Sequence, residues 1–302
     1  MRNAFMGVIF KACERRDDII ILSGDTGAGL FDDFKKQHPD KFLNMGIAEQ
    51  NMTSFAAGLA MTGKRVIIYN IIPFLLYRCY EQVRNDICYQ NIPVVMVGIG
   101  SGLTYAPQGM THYAVEDLGI CQTLPNLTVL SPGDFVEARN VAEFVLNWMG
   151  PSYVRIAKVG GPVLHPPNTE YLNTTLPHIV RPGSDVAILF HGSISSEALT
   201  AWEMLESKPM LISVPMVQPL NSVVLQELLK SIRRVIVVEE HYDNCGLGAR
   251  IANDQYLWDN ASWDLTVMGV EPGFIHSVND LTGMRKMNKI SAQDIVDMVK
   301  GS

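Results

Sequence analysis

The 302 residues of the chain are enough for two domains of roughly 150 residues each. Hydrophobic residues make up 47% of the chain and charged residues only 18%, a composition typical of a well-buried globular protein with a large interface. The formal net charge of −7 argues against nucleic acid and against an anionic membrane as a partner.

The cysteines indicate a reducing compartment, because they are odd in number and scattered without the spacing of metal ligands. The N-terminus enters a helical pattern directly, and no apolar run approaches the ~18 residues that a membrane helix requires. We therefore expect a cytoplasmic protein that is neither secreted nor membrane-spanning.

The first half predicts an α/β domain over residues 1–162. Short apolar runs alternate there with helical patterns, which is typical of a largely parallel sheet. The predicted strands are 18–23, 65–69, 93–99, 127–130 and 152–156. The predicted helices are 3–15, 48–62, 76–90 and 134–149.

A linker over residues 163–183 is predicted next, because this part of the chain is rich in proline and has little periodicity. A second α/β domain follows over residues 184–302. Its predicted strands are 185–190, 210–214, 234–239 and 264–269, and its predicted helices are 196–205, one from Leu247 and one from Ser291. The fold class is therefore two consecutive α/β domains with largely parallel sheets.

Three loops of the first domain follow predicted strands, at residues 24–29, 70–77 and 98–112. The helix 48–62 begins in the same layer. Because ligands of open parallel sheets bind beyond the carboxyl ends of the strands, we expect these four pieces to form the ligand site.

Glu49 is the only charged residue of the predicted helix 48–62. A helix without a polar face is predicted to be buried, and a buried carboxylate requires a committed partner. The alternative is an acidic residue that complements the dipole at the start of a helix.

Residues 46–50, Gly-Ile-Ala-Glu-Gln, precede a Phe-Ala-Ala-Gly-Leu-Ala helix at residues 55–60. This combination resembles the signature helix of thiamine diphosphate enzymes of the transketolase family, and the resemblance extends over nearly the whole chain. It implies a pyrimidine-binding domain followed by a transketolase C-terminal domain. Glu49 would then hydrogen-bond N1′ of the aminopyrimidine and support proton transfer, while the coenzyme supplies the carbanion chemistry. Asp25 and Ile47 are further candidates for contact with the coenzyme.

Residues 70–82 lie where the family carries an aromatic ring that stacks on the pyrimidine. Phe74 is the first candidate and Tyr77 the second, and the alternative is that both are ordinary core residues. Residues 109–112, Gly-Met-Thr-His, resemble the family's Gly-x-Thr-His turn. The resemblance implies that His112 hydrogen-bonds a substrate oxygen during proton transfer, which suits an imidazole near neutral pH. A purely structural histidine is the alternative.

Arg155 and Arg2 match phosphate-binding arginines of the family, and a guanidinium fork suits a sugar-phosphate terminus. Surface ion pairs are the alternative for both. Three positions depart from the family: Gln108 replaces an aspartate that reads the donor's hydroxyl, Gly100 replaces a substrate-contacting histidine, and Gly29 replaces a phosphate-contacting serine. These departures leave the identity of the donor open.

Residues 238–241, Val-Glu-Glu-His, and 246–249, Gly-Leu-Gly-Ala, resemble a turn of the transketolase C-terminal domain. In that family the turn is structural and contacts a neighbouring subunit. We therefore expect no catalytic role for Glu240 or His241.

The family also requires a Gly-Asp-Gly motif and a following asparagine, which hold Mg²⁺ and the diphosphate. The sequence contains no Gly-Asp-Gly, so we expect no metal ligands on this chain. The chain resembles the second half of a split transketolase that transfers a two-carbon ketol unit between sugars or sugar phosphates. The resemblance implies activity only with a first-half subunit, as a heterotetramer with two of each chain.

Three alternatives to a split transketolase remain open from the sequence. Two are enzymes: the β-subunit of a 2-oxo-acid dehydrogenase, or an enzyme similar to 1-deoxyxylulose-5-phosphate synthase. The third is a regulatory or scaffold subunit that retains the fold.

Overall fold

The computed structural model describes residues 1–158 and 160–301. Within them the strands are β1 (Ile19–Ser23), β2 (Phe42–Asn44), β3 (Arg65–Ile71), β4 (Val94–Ile99), β5 (Thr128–Leu130), β6 (Ser152–Ile156), β7 (His178–Arg181), β8 (Asp185–Phe190), β9 (Met210–Ser213), β10 (Met216–Gln218), β11 (Ile232–Tyr242) and β12 (Asp264–Val270). The helices are α1 (Arg2–Cys13), α2 (Asp32–Gln37), α3 (Glu49–Met61), α4 (Tyr80–Gln82), α5 (Asp117–Gln122), α6 (Phe135–Asn147), α7 (Ser195–Met204), α8 (Ser222–Leu229), α9 (Leu247–Ala252), α10 (Gln255–Asp259), α11 (Leu281–Met287) and α12 (Ala292–Lys300).

The first sheet has the strand order β10-β5-β6-β4-β3-β1-β2. Its strands are parallel except β10, which the second half of the chain contributes and which runs antiparallel to β5. Every residue of the central strand β4 is buried. Its side chains alternate between two core clusters, one shared with α1 and α6 and the other with α3. Burial of both faces explains why these strands are continuous apolar runs.

The second sheet has the order β12-β11-β8-β9-β7. It is parallel except for β7, which pairs antiparallel with β9. Helices α7 and α12 cover one face of this sheet over a third core cluster. Two α/β units of largely parallel sheets confirm the predicted fold class.

The predicted linker and one predicted helix differ from the structure. Strand β7 lies inside the predicted linker 163–183, because a strand of four residues flanked by prolines has too short a pattern to recognise. The single helix predicted over 76–90 is instead a π-helical turn at Pro73–Tyr77, then α4, then a second π-helical turn at Val83–Cys88. Such π-helical irregularities are frequent at functional sites.

Helix α3 is buried on one side only, which corrects the prediction of a fully buried helix. Met52, Ala56 and Ala60 face the core. Phe55 is 41% exposed and Met61 58% exposed on the opposite side. An apolar composition therefore does not mean burial within this chain: it also produces an exposed, uncharged strip on α3.

Four of the cysteines are buried and Cys245 is partly buried, and all are free thiols. Among the described residues, none of the helices combines the length and the apolar character needed to cross a membrane.

Candidate active site

The loops after β1, β3 and β4 lie at the same edge of the first sheet, as the sequence predicts, since these strands are adjacent and parallel. Glu49 begins α3 beside them, with its side chain near Asn70 at the end of β3. Gly24, in the loop after β1, packs against both of these side chains. A Cβ atom at Gly24 would lie 2.4 Å from Nδ2 of Asn70 and 3.3 Å from Cγ of Glu49. Only glycine leaves room for the carboxylate and the amide together.

The carboxylate of Glu49 is 2% exposed and has two donors. Nη1 of Arg78 donates to Oε2 at 2.7 Å, and Nδ2 of the fully buried Asn70 approaches Oε1 at 3.5 Å. Arg78 is therefore a partner of the kind that the sequence predicts for a buried carboxylate at Glu49, although Arg78 was not itself predicted as a site residue. Because 29 residues separate Arg78 from Glu49, only the fold brings the two together.

The two candidate aromatic residues have different neighbours. The ring of Phe74 lies 5.4 Å from the His112 ring and 4.7 Å from the Arg78 guanidinium carbon. The hydroxyl of Tyr77 donates to Glu116 at 2.9 Å, and burial raises its pKa. Among the described residues, no hydrogen bond or ring contact joins Tyr77 to Glu49 or His112. Phe74 is thus the ring in contact with the site, and a role for Tyr77 stays a prediction.

His112 is presented by a tight turn in which its backbone N–H donates to the Gly109 carbonyl at 2.9 Å. Its Nδ1 is 2.9 Å from the Thr111 hydroxyl, which leaves Nε2 for other contacts. Burial and, to a lesser degree, the cation of Lys158 lower the pKa of His112. The imidazole is therefore neutral near physiological pH and able to accept a proton.

Tyr105 fills the space of the histidine that the sequence lacks at position 100. The backbone of Gly100 has a φ of +94°, and a Cβ atom there would lie 2.0 Å from the Tyr105 ring. The ring centroid of Tyr105 is 5.7 Å from that of His112. Nζ of Lys158 lies 4.4 Å from the Tyr105 ring centroid. The sequence analysis missed both Tyr105 and Lys158. The family's histidine at position 100 was a signal to look for a replacement.

The prediction that Arg155 binds phosphate is wrong. Arg155 is fully buried in β6, and its Nε donates to the buried Asp117 at 2.8 Å. Its Nη2 donates to the carbonyl oxygens of Ala114 and Glu240, each at 2.8 Å. The residue joins the two domains and is closed to a substrate. Lys158, two residues after the end of β6, is an exposed cation at this end of the sheet.

Arg2 and Gln108 remain available to a substrate. Arg2 is half-buried at the start of α1, where its Nε donates to Oδ1 of Asn3 at 3.2 Å, and its charge lies near Tyr69 and Tyr105. Gln108 is exposed, one turn before His112, and its backbone N–H donates to the Tyr105 carbonyl at 2.8 Å.

Asp25 adopts a left-handed φ of 57° in the loop after β1. Nδ2 of Asn44 donates to its carboxylate at 2.9 Å, and the Asp25 N–H donates back to Asn44 at 3.2 Å. This pair holds the loop to the end of β2. Ile47 is 78% exposed just before α3. Contact of Asp25 or Ile47 with the coenzyme stays a prediction.

Comparison with known proteins identifies both halves. The family "Transketolase, pyrimidine binding domain" matches residues 1–160, and "Transketolase, C-terminal domain" matches residues 177–280. The chain is 32% identical to a subunit of the apulose-4-phosphate transketolase of Actinobacillus succinogenes over 302 residues, 99% of this chain and 96% of the relative. The chain belongs to the transketolase family.

Two further comparisons define its place in the transketolase family. The solved structure titled "Split gene transketolase, inactive beta4 tetramer" matches with a TM-score of 0.89 and 28% identity, over 99% of this chain and 97% of that one. The 1-deoxy-D-xylulose-5-phosphate synthase of Dictyoglomus turgidum is 33% identical over 72% of this chain, but the match covers only 36% of that enzyme. The chain is thus the second subunit of a split transketolase-type transferase that depends on thiamine diphosphate.

The site of this transketolase subunit fits the aminopyrimidine half of thiamine diphosphate. A buried carboxylate, a buried amide and an aromatic ring, from Glu49, Asn70 and Phe74, supply what a planar nitrogen heterocycle needs. Within residues 1–158 and 160–301, no cluster of three histidine, cysteine or acidic side chains is arranged to hold a metal. The fit is with the aminopyrimidine ring.

The Glu-Glu-His turn of the transketolase C-terminal domain joins the two domains of this chain. Glu240 accepts from the backbone N–H of Leu103 and is paired with Arg285. Nε2 of His241 accepts from the N–H of Leu118 at 3.0 Å, and burial lowers the pKa of this histidine. These contacts fix the loop that leads to His112. They agree with a structural role.

Proposed function

We propose that this chain transfers a two-carbon ketol unit from a ketose, in free or phosphorylated form, to an aldose, together with thiamine diphosphate and a first-half partner subunit. One observation carries the proposal: the carboxylate of Glu49 is buried at the sheet edge where His112 and Phe74 also lie. A carboxylate, a neutral imidazole and an aromatic wall are the groups that this coenzyme chemistry requires from a protein.

When bound, thiamine diphosphate supplies an electron sink for breaking and forming the carbon–carbon bond. Glu49 would hold N1′ of its pyrimidine ring. The neutral imidazole of His112 would take a proton from a substrate hydroxyl and return it to the product oxygen. Phe74 would form one wall and exclude water. Lys158 and Arg2 would attract the phosphate end of a sugar phosphate.

The partner would carry the diphosphate and the Mg²⁺ ligands, in a heterotetramer with two of each subunit in the cytoplasm. Two observations on relatives support a partner: the Actinobacillus succinogenes relative is named as one subunit of its transketolase, and the split-gene structure is titled as an inactive tetramer of β-subunits. The exposed apolar strip at Phe55 and Met61 lies on the helix that Glu49 begins and is our candidate for the contact.

The substrates are proposed to be sugar phosphates of a specialised branch of carbohydrate metabolism. Apulose 4-phosphate is named for the Actinobacillus succinogenes relative. Gly100, Tyr105 and Gln108 would give this site a different set of substrate contacts from that of an ordinary transketolase; the Tyr105 ring lies where a side chain at position 100 would be.

The experiment mixes the chain with its partner subunit, thiamine diphosphate and Mg²⁺ and measures ketol transfer. We expect activity only in the complete mixture, and Glu49→Gln should lower kcat by at least about 100-fold with the assembly intact. Glu14→Gln, at an exposed position of the first domain, is the matched control and should be fully active.

Transfer that persists in Glu49→Gln would contradict the catalytic role and favour a scaffold subunit. Decarboxylation of pyruvate by the mixture, without ketol transfer, would favour a 2-oxo-acid dehydrogenase or a synthase instead.

A further inference from the structure

Arg78 makes two contacts that the proposed function leaves unused. Its Nη1 donates to the buried carboxylate of Glu49 at 2.7 Å. Its guanidinium carbon lies 4.7 Å from the centre of the Phe74 ring. The guanidinium thus engages both groups that the proposed function assigns to the aminopyrimidine ring.

The guanidinium of Arg78 and the aminopyrimidine ring of the coenzyme have similar chemistry. A guanidinium is a planar cation that donates N–H bonds to a carboxylate and stacks on aromatic faces. An aminopyrimidine protonated at N1′ is also planar and cationic and offers an N–H to the same carboxylate. The guanidinium occupies the space beside Oε2 of Glu49 and against the Phe74 ring, so the aminopyrimidine can meet both groups only where the guanidinium gives way.

We propose that Arg78 is a positioning residue that competes with the aminopyrimidine for Glu49. Binding of the coenzyme then requires the guanidinium to leave, and Arg78 sets the affinity for the coenzyme. This inference rests on the proposed function.

The surroundings of Arg78 allow this exchange. Its side chain is 43% exposed, so it reaches solvent by rotation alone. Its backbone stays in place because the side-chain amide of Gln50 donates to the Arg78 carbonyl at 3.1 Å. Asn70 differs: it is fully buried, and its side-chain oxygen Oδ1 accepts from the N–H of Ile71 at 2.8 Å. Asn70 therefore stays beside Glu49 while Arg78 departs.

The test measures the Kd of thiamine diphosphate in the assembled complex with Mg²⁺, by intrinsic fluorescence or calorimetry. Arg78→Met keeps the aliphatic stem and removes the cation. We expect it to bind the coenzyme at least about threefold more tightly, since binding no longer has to break a half-exposed ion pair. Arg84→Met, which removes an exposed arginine six positions further on, should leave the Kd unchanged. Arg78→Lys should lie between wild type and Arg78→Met and provides a second variant if Arg78→Met folds poorly.

Removal of the carboxylate separates competition for Glu49 from a general effect on folding. In Glu49→Gln the guanidinium has no ion pair to lose, so adding Arg78→Met to Glu49→Gln should leave the Kd of thiamine diphosphate unchanged. Equal or weaker binding of thiamine diphosphate by Arg78→Met, relative to wild type, would overturn the inference. A wild-type complex that binds no thiamine diphosphate would instead refute the proposed function on which it rests.

Discussion

At the residue scale, a difference of a few sequence positions decides whether a cation near the site is buried or exposed. Arg155 and Lys158 lie three residues apart, yet one is fully buried between domains and the other is exposed beside Tyr105. Arg155 belongs to β6 and pairs in register with Gly98 of β4, whereas Lys158 lies beyond the last residue of β6. Of these two cations, only Lys158 can be reached by a substrate.

Lys158 should distinguish phosphorylated from free sugars. We expect Lys158→Met to raise KM for a phosphorylated acceptor by about tenfold and to leave KM for the unphosphorylated sugar nearly unchanged, because a lost charge-assisted contact costs roughly 1–2 kcal/mol. Steady-state kinetics of the reconstituted enzyme with both acceptors measure this. Equal losses for the two sugars would remove the assignment.

The same variant should shift the pH dependence of the reaction. The Lys158 cation opposes protonation of His112, so its removal raises the pKa of the imidazole. Neutral His112 is the form that accepts a proton, so activity is lost as the pH falls through this pKa. The acid limb of kcat/KM with a free sugar should therefore move to higher pH in Lys158→Met. Burial is the larger cause of the lowered pKa, so we expect only a small shift. An acid limb that stays in place or moves to lower pH would contradict this role of His112.

At the scale of elements, the strands marked by buried apolar runs could be predicted, and three short strands without such a run could not. The ranges predicted for β4 and β6 agree with the structure to within one residue, because continuous apolar runs mark strands that are buried on both faces. Strands β2, β7 and β10 have three or four residues each and no pattern of their own. Strand β10 exists only because the second half of the chain reaches β5 of the first sheet.

The candidate site could be predicted as far as local motifs extend. Glu49, Phe74 and His112 each lie in a motif of the family, and the parallel sheet brings their loops to one edge. Arg78 and Tyr105 could not be assigned from the sequence. Their importance depends on contacts across loops, with Glu49 and with the backbone of Gly100.

The ion pair between Arg155 of β6 and Asp117 of α5 gives a test of the structural role of Arg155. Arg155→Met leaves the carboxylate of Asp117 buried without its cation, so we expect the free energy of unfolding to fall by about 3–5 kcal/mol. Urea unfolding of the chain measures the loss, and the exposed Arg84→Met is the control. A variant with unchanged stability and a selective loss of phosphorylated substrates would restore Arg155 as a phosphate ligand.

At the scale of the whole molecule, the uncharged strip of α3 is the surface where we expect the partner subunit. Phe55→Glu should weaken assembly by about tenfold or more, since an interface aromatic contributes over ~1 kcal/mol, and it should leave the stability of the isolated chain nearly unchanged. Phe274→Glu is the matched control, because Phe274 is an exposed phenylalanine of the second domain. Sedimentation of the mixed subunits measures the effect. Disruption by Phe274→Glu alone would move the contact to the other domain.

The division of one coenzyme site between two polypeptides is most directly tested by a calorimetric titration of thiamine diphosphate, with Mg²⁺ present. The titration is made into this chain alone, into the partner alone and into their mixture. We predict saturable binding with one coenzyme per pair of subunits in the mixture only, because this chain holds the ring and the partner holds the diphosphate. Full-affinity binding to either chain alone, or no binding to the mixture, would contradict the account.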